Sequence, residues 1–235
     1  MSSFFALSSA AQYFLFVALI FVPLAGIASY LRIRSGKPLR PKRQRYVATI
    51  VMQFVILVVT LLAARAEGIT LLGRQWGSPL TWLVVAGYMV LLTFRMRHAW
   101  ARLPDERKEK ARRLLPDDPS LMCLWVGVAA LAGISEELAY RGLAYQLLRA
   151  MGLNIAFALL VCVTAFAIGH MTQGWRGVLG TFVLAILFHC LVFATNSLYL
   201  AIAFHAVYNL IVGVIAMPIL NEFAKKQELA QAAGA

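Results

Sequence analysis

Seven apolar runs constrain this 235-residue chain more than any other feature. They cover about residues 13–31, 47–64, 79–94, 120–148, 153–169, 178–194 and 198–218. A helix needs about 20 apolar residues to cross the hydrocarbon core of a bilayer, and most of these runs approach or exceed that length. Composition agrees: 61% of residues are hydrophobic and 14% charged, against about half and a quarter in soluble domains. An ordinary cytosolic enzyme, a disordered tail and a secreted disulfide scaffold are all excluded. The expected fold is all-α, a polytopic transmembrane bundle of about seven helices, with six to eight compatible with the runs. Cys123, Cys162 and Cys190 lie in apolar stretches, are odd in number and show no CxxC spacing, so they read as small buried hydrophobes.

The net charge of +12 would suggest nucleic acid in a soluble protein. Its placement points elsewhere. Seven basic residues lie between Arg32 and Arg45 and eight between Arg95 and Arg113, so 15 of 22 sit in two short loops. Cytoplasmic loops of membrane proteins carry this excess, and no aromatic interleaving accompanies the runs as single-strand binding would require. The expected partners are membrane lipids and a membrane-associated peptide or protein substrate, with no nucleic acid.

Alternation from these loops orients the chain. The first run has no basic residue before it and a basic loop after it, which fits an uncleaved anchor with the N-terminus outside. The second run returns outward to a loop carrying only Arg65, Glu67 and Arg74 as charges. The third leads inward to 95–119, whose middle, 105–115, is suited to a charged surface helix. The fourth run would form a helix of ~43 Å, too long for a core of ~30 Å unless it tilts, projects or bends near Gly133. The C-terminal residues, with Lys225 and Lys226, then fall in the cytoplasm. The expected organisation is 1–117, N-terminal helices and basic loops; 118–220, a bundle carrying the chemistry; and 221–235, a tail.

Residues 121–220 contain only five Lys, Arg, Asp or Glu: Glu136, Glu137, Arg141, Arg149 and Arg176. Arg149 and Arg176 fall at helix ends, where they reach headgroups. Glu136, Glu137 and Arg141 lie deep in the fourth run, where ionisable groups face a bundle interior or a wet cavity and mark function. Glu137 and Arg141 are spaced i,i+4 and share a face, whereas Glu136 points about 100° away. If Arg141 neutralises Glu137, Glu136 is left as the free carboxylate; a structural ion-pair knot is the bland alternative. Histidines on other runs join them. Phe166 and His170 share a face at the end of the fifth run, and His205 and Asn209 share one in the seventh. His189, in the sixth, reads as a core residue.

These residues resemble the motifs of the CAAX protease and bacteriocin-processing family, also called CPBP or Abi, which is related to Ras-converting enzyme. Glu136-Glu137-Leu138-Ala139-Tyr140-Arg141 resembles EExxxR, Phe166 to His170 resembles FxxxH, and His205 to Asn209 resembles HxxxN/D, in the family's order. The resemblance covers about residues 118–220. It implies a glutamate-type intramembrane endopeptidase in a bacterial cell membrane, acting on a lipidated or membrane-bound peptide or protein. Catalytic roles carried over would make Glu136 the base that activates water and His170 the group that positions it. His205 and Asn209 would stabilise the oxyanion, and Glu137, Arg141 and Phe166 would support them.

The chemistry is coherent. A buried carboxylate is raised toward the range a general base needs, and each donor aimed at the oxyanion contributes about 3–4 kcal/mol. Water must reach such a site, and the orientation puts His170 near a cavity open to the cytoplasm. No cofactor is expected. The competing readings are a zinc version of the same peptidase, with Glu136, His170 and His205 as ligands, and a non-catalytic immunity or scaffold protein. Transport is less favoured, because the first three runs lack intramembrane charges like those of the later ones.

Overall fold

The computed structural model describes residues 4–72 and 76–233; Arg74, assigned to the second loop, lies outside the described residues. The described chain forms eight helices. They are α1 (Ser9–Arg34), α2 (Lys42–Ala66), α3 (Pro79–Ala101), α4 (Asp105–Leu114), α5 (Pro119–Ala150), α6 (Ile155–Gly169), α7 (Trp175–Thr195) and α8 (Leu198–Ala233). All but the charged α4 are apolar. Six are long and apolar enough to cross a membrane. The other apolar helix, α6, has 15 residues and spans only ~22 Å.

Local sequence sets the helix starts. Ser8, Ser78, Asp118 and Asn154 each accept, through the side chain, the N–H three residues on, which satisfies one of the unpaired donors of a first turn. Proline follows the cap at Pro79 and Pro119, where its missing N–H costs nothing. Asp118 is also held by the Ser120 hydroxyl at 2.6 Å; that bond, with the Leu121 N–H, keeps its carboxyl below the usual carboxylate range.

Side-chain contacts sort the loops to two ends of the bundle. At one end, Lys42 pairs with Asp117 at 2.5 Å, Arg45 donates to the Arg113 carbonyl, and the Tyr46 hydroxyl donates to the Leu114 carbonyl at 2.7 Å. Asn221 joins them through the Asp117 carbonyl at 3.0 Å. Both basic loops therefore lie together. At the other end, the Ser8 N–H donates to Glu67 at 2.7 Å and Trp76 stacks on Tyr199 at 3.9 Å. The two basic loops thus share one end, as their charge suggests, and the loop after α2 lies at the other.

Two boundaries differ from the sequence reading. The seventh run does not stop at Pro218. Helix α8 continues to Ala233, because Leu220 packs with Leu115 and Ala216 and Asn221 is tied to Asp117. The segment from 219 to Ala233 is therefore helical, and Phe223 is buried. The fourth run forms one 32-residue helix, and Gly133 marks a crossing within it. A Cβ at Gly133 would lie 2.8 Å from the Ala206 Cβ, so α5 and α8 touch backbone to backbone there.

Candidate active site

Glu136 lies ~26 Å along a helix of ~48 Å, near the middle of the bundle. The chain leaves α-helical geometry just after it: Glu137–Ala144 is a π-helical stretch. Such insertions rotate the following side chains and recur at functional sites. The contact with Ala206 lies less than a turn before Glu136 and brings α8 against both glutamates.

Glu137 is fully buried. Its Oε1 accepts from Arg141 Nη1 at 3.1 Å and faces His205 Nδ1 at 2.8 Å. An ionised carboxylate only accepts, so Nδ1 carries the proton in that bond. The ion pair inferred from the i,i+4 spacing is present, and His205 extends it across helices. A buried charge pair needs such further bonds to offset its desolvation. Arg141 also reaches the Ala185 carbonyl at 3.5 Å and lies over the rings of Phe166 and Phe188, 4.5 and 5.5 Å from their centroids. Cation–π contacts are stronger in a dry setting.

Glu136 has different surroundings. Its Oε1 accepts from Gln53 Nε2 at 2.5 Å, while Oε2 is buried without a hydrogen-bond partner and sits 3.7 Å from His205 Nε2. The imidazole of His205 thus spans the two carboxylates. Phe188 stacks on it at 5.4 Å and fixes its plane.

His170 reaches this group through Phe166. Its Nδ1 bonds the Phe166 carbonyl at 2.9 Å, and the two rings lie 4.7 Å apart. Phe166 also packs edge-on to Tyr140 at 5.2 Å and to His205 at 6.2 Å. Asn209 stands one turn beyond His205 on α8, its carbonyl accepting from Trp125 Nε1 at 2.9 Å. Both His170 and Asn209 are half-buried, whereas Glu136 and His205 are buried. The structure therefore joins Glu136, Glu137, Arg141 and His205 directly, His170 by way of Phe166, and Asn209 by helix register alone. Among the described residues, no group of three or more His, Cys, Asp and Glu is arranged to hold a metal ion.

The first two helices complete the site. The Tyr140 hydroxyl donates to the Ala18 carbonyl at 2.9 Å, and a Cβ on Gly26 would fall 2.7 Å from the Ile168 carbonyl. Helix α1 thus packs directly on the segment that ends in His170. Gln53, Ser135 and Phe188 were missed by sequence reasoning. Gln53 had a signal, as the one amide within run 47–64. His189 is buried against Tyr145 and Phe193, with Nε2 unpartnered.

Residues 118–211 match the family model described as type II CAAX prenyl endopeptidase Rce1-like. No curated protein and no solved structure matches the chain.

Proposed function

Because residues 118–211 are an Rce1-like region, which implies a peptide hydrolase, we propose that this protein is a glutamate-type intramembrane endopeptidase. The observation that carries the reading is the asymmetry of the two glutamates: Glu137 is bound through Oε1 by Arg141 and by His205 Nδ1, while Glu136 is bound only by the neutral amide of Gln53 and turns Oε2 toward His205 Nε2.

In the proposed reaction, Glu136 Oε2 takes a proton from water as the water oxygen attacks the scissile carbonyl carbon. The carbonyl oxygen becomes an oxyanion, met by His205 Nε2–H and by the Asn209 amide from the same helical face. Glu137 accepts from His205 Nδ1 and so stabilises a charged imidazole. With both glutamates ionised and His205 protonated, the charges of Glu136, Glu137, Arg141 and His205 sum to zero. His170 holds the attacking water. Collapse of the intermediate breaks the C–N bond, and Glu136 returns its proton to the leaving amine.

The proposed substrate is a membrane-bound peptide or protein, with a prenylated C-terminus as the candidate the family description supplies. The partners are that substrate and membrane lipids. We place the basic loops and the C-terminus in the cytoplasm of a bacterial cell and the N-terminus outside, with the site opening toward the cytoplasm. Residues 118–220 supply the catalytic groups and residues 1–117 the wall around them, and α8 carries the chain on through residues 221–233. No metal takes part in this mechanism.

The test uses the full chain in lipid nanodiscs with two internally quenched peptides, one farnesylated and ending in a CAAX sequence, the other the same peptide unmodified. Cleavage of the farnesylated peptide that survives 1,10-phenanthroline supports the reading. Loss of cleavage with chelator and its return with zinc would replace it by the zinc version.

A further inference from the structure

The two oxygens of Glu136 differ because of Gln53. Its Nε2 donates to Glu136 Oε1 at 2.5 Å, while its own Oε1 accepts from the Ser135 hydroxyl at 2.5 Å. Both Gln53 and Ser135 are buried, at 4% and 0% exposure, so water does not compete for these bonds. An amide whose oxygen is held on one side presents its NH₂ on the other. That NH₂ donates to the carboxylate oxygen it meets. Oε1 is thereby occupied, and Oε2 is left toward His205.

We infer that Gln53 is a positioning residue, resting on the peptidase reading above: it fixes the plane of the Glu136 carboxylate and selects Oε2 as the oxygen that takes the proton from water. Ser135 acts one step further out by fixing the amide. Gln53 lies on α2, outside the matched region 118–211, so the site is incomplete without the N-terminal helices. The relay runs Ser135, Gln53, Glu136 across two helices, with Gln53 bonded on both sides.

A structural role would also follow from these bonds, since Gln53→Met leaves Glu136 Oε1 unsatisfied. The two roles separate in steady-state kinetics. The full chain, Gln53→Met, Ser135→Ala, the double variant and Glu136→Gln are compared in nanodiscs with the quenched farnesylated CAAX peptide, alongside thermal melting. Positioning predicts that Gln53→Met lowers kcat by about 100-fold, the scale of a misplaced reacting group, with KM within about twofold. Ser135→Ala, which only removes a hydroxyl, lowers kcat by several-fold at unchanged KM. The double variant is no slower than Gln53→Met alone, because both changes break one relay.

Independent, multiplying losses in the double variant would overturn the inference, as would a kcat that falls only in proportion to the folded fraction. Ser135→Ala keeps the test decisive if Gln53→Met does not accumulate: a wild-type kcat there overturns the relay. An intact kcat in Gln53→Met with an inactive Glu136→Gln overturns the positioning role alone. Full cleavage by Glu136→Gln overturns instead the proposed role of Glu136 as the base, on which the inference rests.

Discussion

Gly133 and Ala206 touch so closely that a Cβ on the glycine would lie 2.8 Å from the alanine backbone nitrogen as well as from its Cβ. This crossing sets His205, the residue just before Ala206 on α8, against the glutamates of α5. Small residues allow such approach in membranes, where helices associate by packing rather than by hydrophobic drive.

Gly133→Ala therefore separates α5 from α8. The variant should melt at lower temperature and lose at least tenfold in cleavage, the cost expected of sub-ångström displacement at a reacting group. Gly180→Ala is the control, since nothing lies within 4 Å of its added Cβ. It should gain about 0.5–1 kcal/mol of helix stability and keep full activity.

Arg141 is the counter-charge of a fully buried carboxylate. Arg141→Leu strips Glu137 of its arginine counter-charge and leaves only the bond from His205; breaking a buried pair costs about 3–5 kcal/mol, and the protein should fail to accumulate in membranes. Adding Glu137→Leu removes the orphaned charge. The double variant should recover accumulation on immunoblots of membranes yet stay inactive, because His205 Nδ1 has lost its acceptor.

His189 is buried with its ring against Tyr145 and Phe193, and it makes no hydrogen bond to the glutamates. His189→Phe should keep cleavage within about threefold and leave melting unchanged or raised, since it removes an unpartnered buried nitrogen. His205→Phe should abolish cleavage. Equal losses in both would place His189 within the site.

The shared end of the two basic loops predicts sidedness. In a cysteine-free background, Gln44→Cys should react with a membrane-impermeant maleimide only in inverted vesicles, and Thr70→Cys only in intact cells. The reverse pattern would invert the orientation and turn the site's proposed opening outward.

Much of this was legible in the sequence because intramembrane charges are costly and therefore few. Glu136, Glu137 and Arg141 stood out against an apolar background, and the i,i+4 spacing correctly paired Glu137 with Arg141. The charge of the two loops foretold that they share one end. Gln53 escaped because an uncharged amide carries no comparable penalty, and its partners lie 82 and 83 positions away. The π-helical stretch after Glu136 has no signature in hydrophobic periodicity, which is written for 3.6 residues per turn. Helix α8 outran its expected end because Pro218 removes one donor, while the contacts of Leu220 and Asn221 with the 115–117 segment hold the helix beyond it. The roles of His170 and Asn209 rest on motif order, since the direct hydrogen bonds of the cluster reach neither the Asn209 amide nor the His170 imidazole.

The central claim is that Glu136, rather than its neighbour, is the base. It is tested most directly by single-turnover cleavage of the quenched farnesylated CAAX peptide by Glu136→Gln, which preserves the size of the side chain beside Gln53. The account predicts a variant that melts like the wild type and cleaves at least ~1000-fold more slowly, within the range expected for loss of a positioned base. Cleavage at the wild-type rate by that folded variant would contradict it.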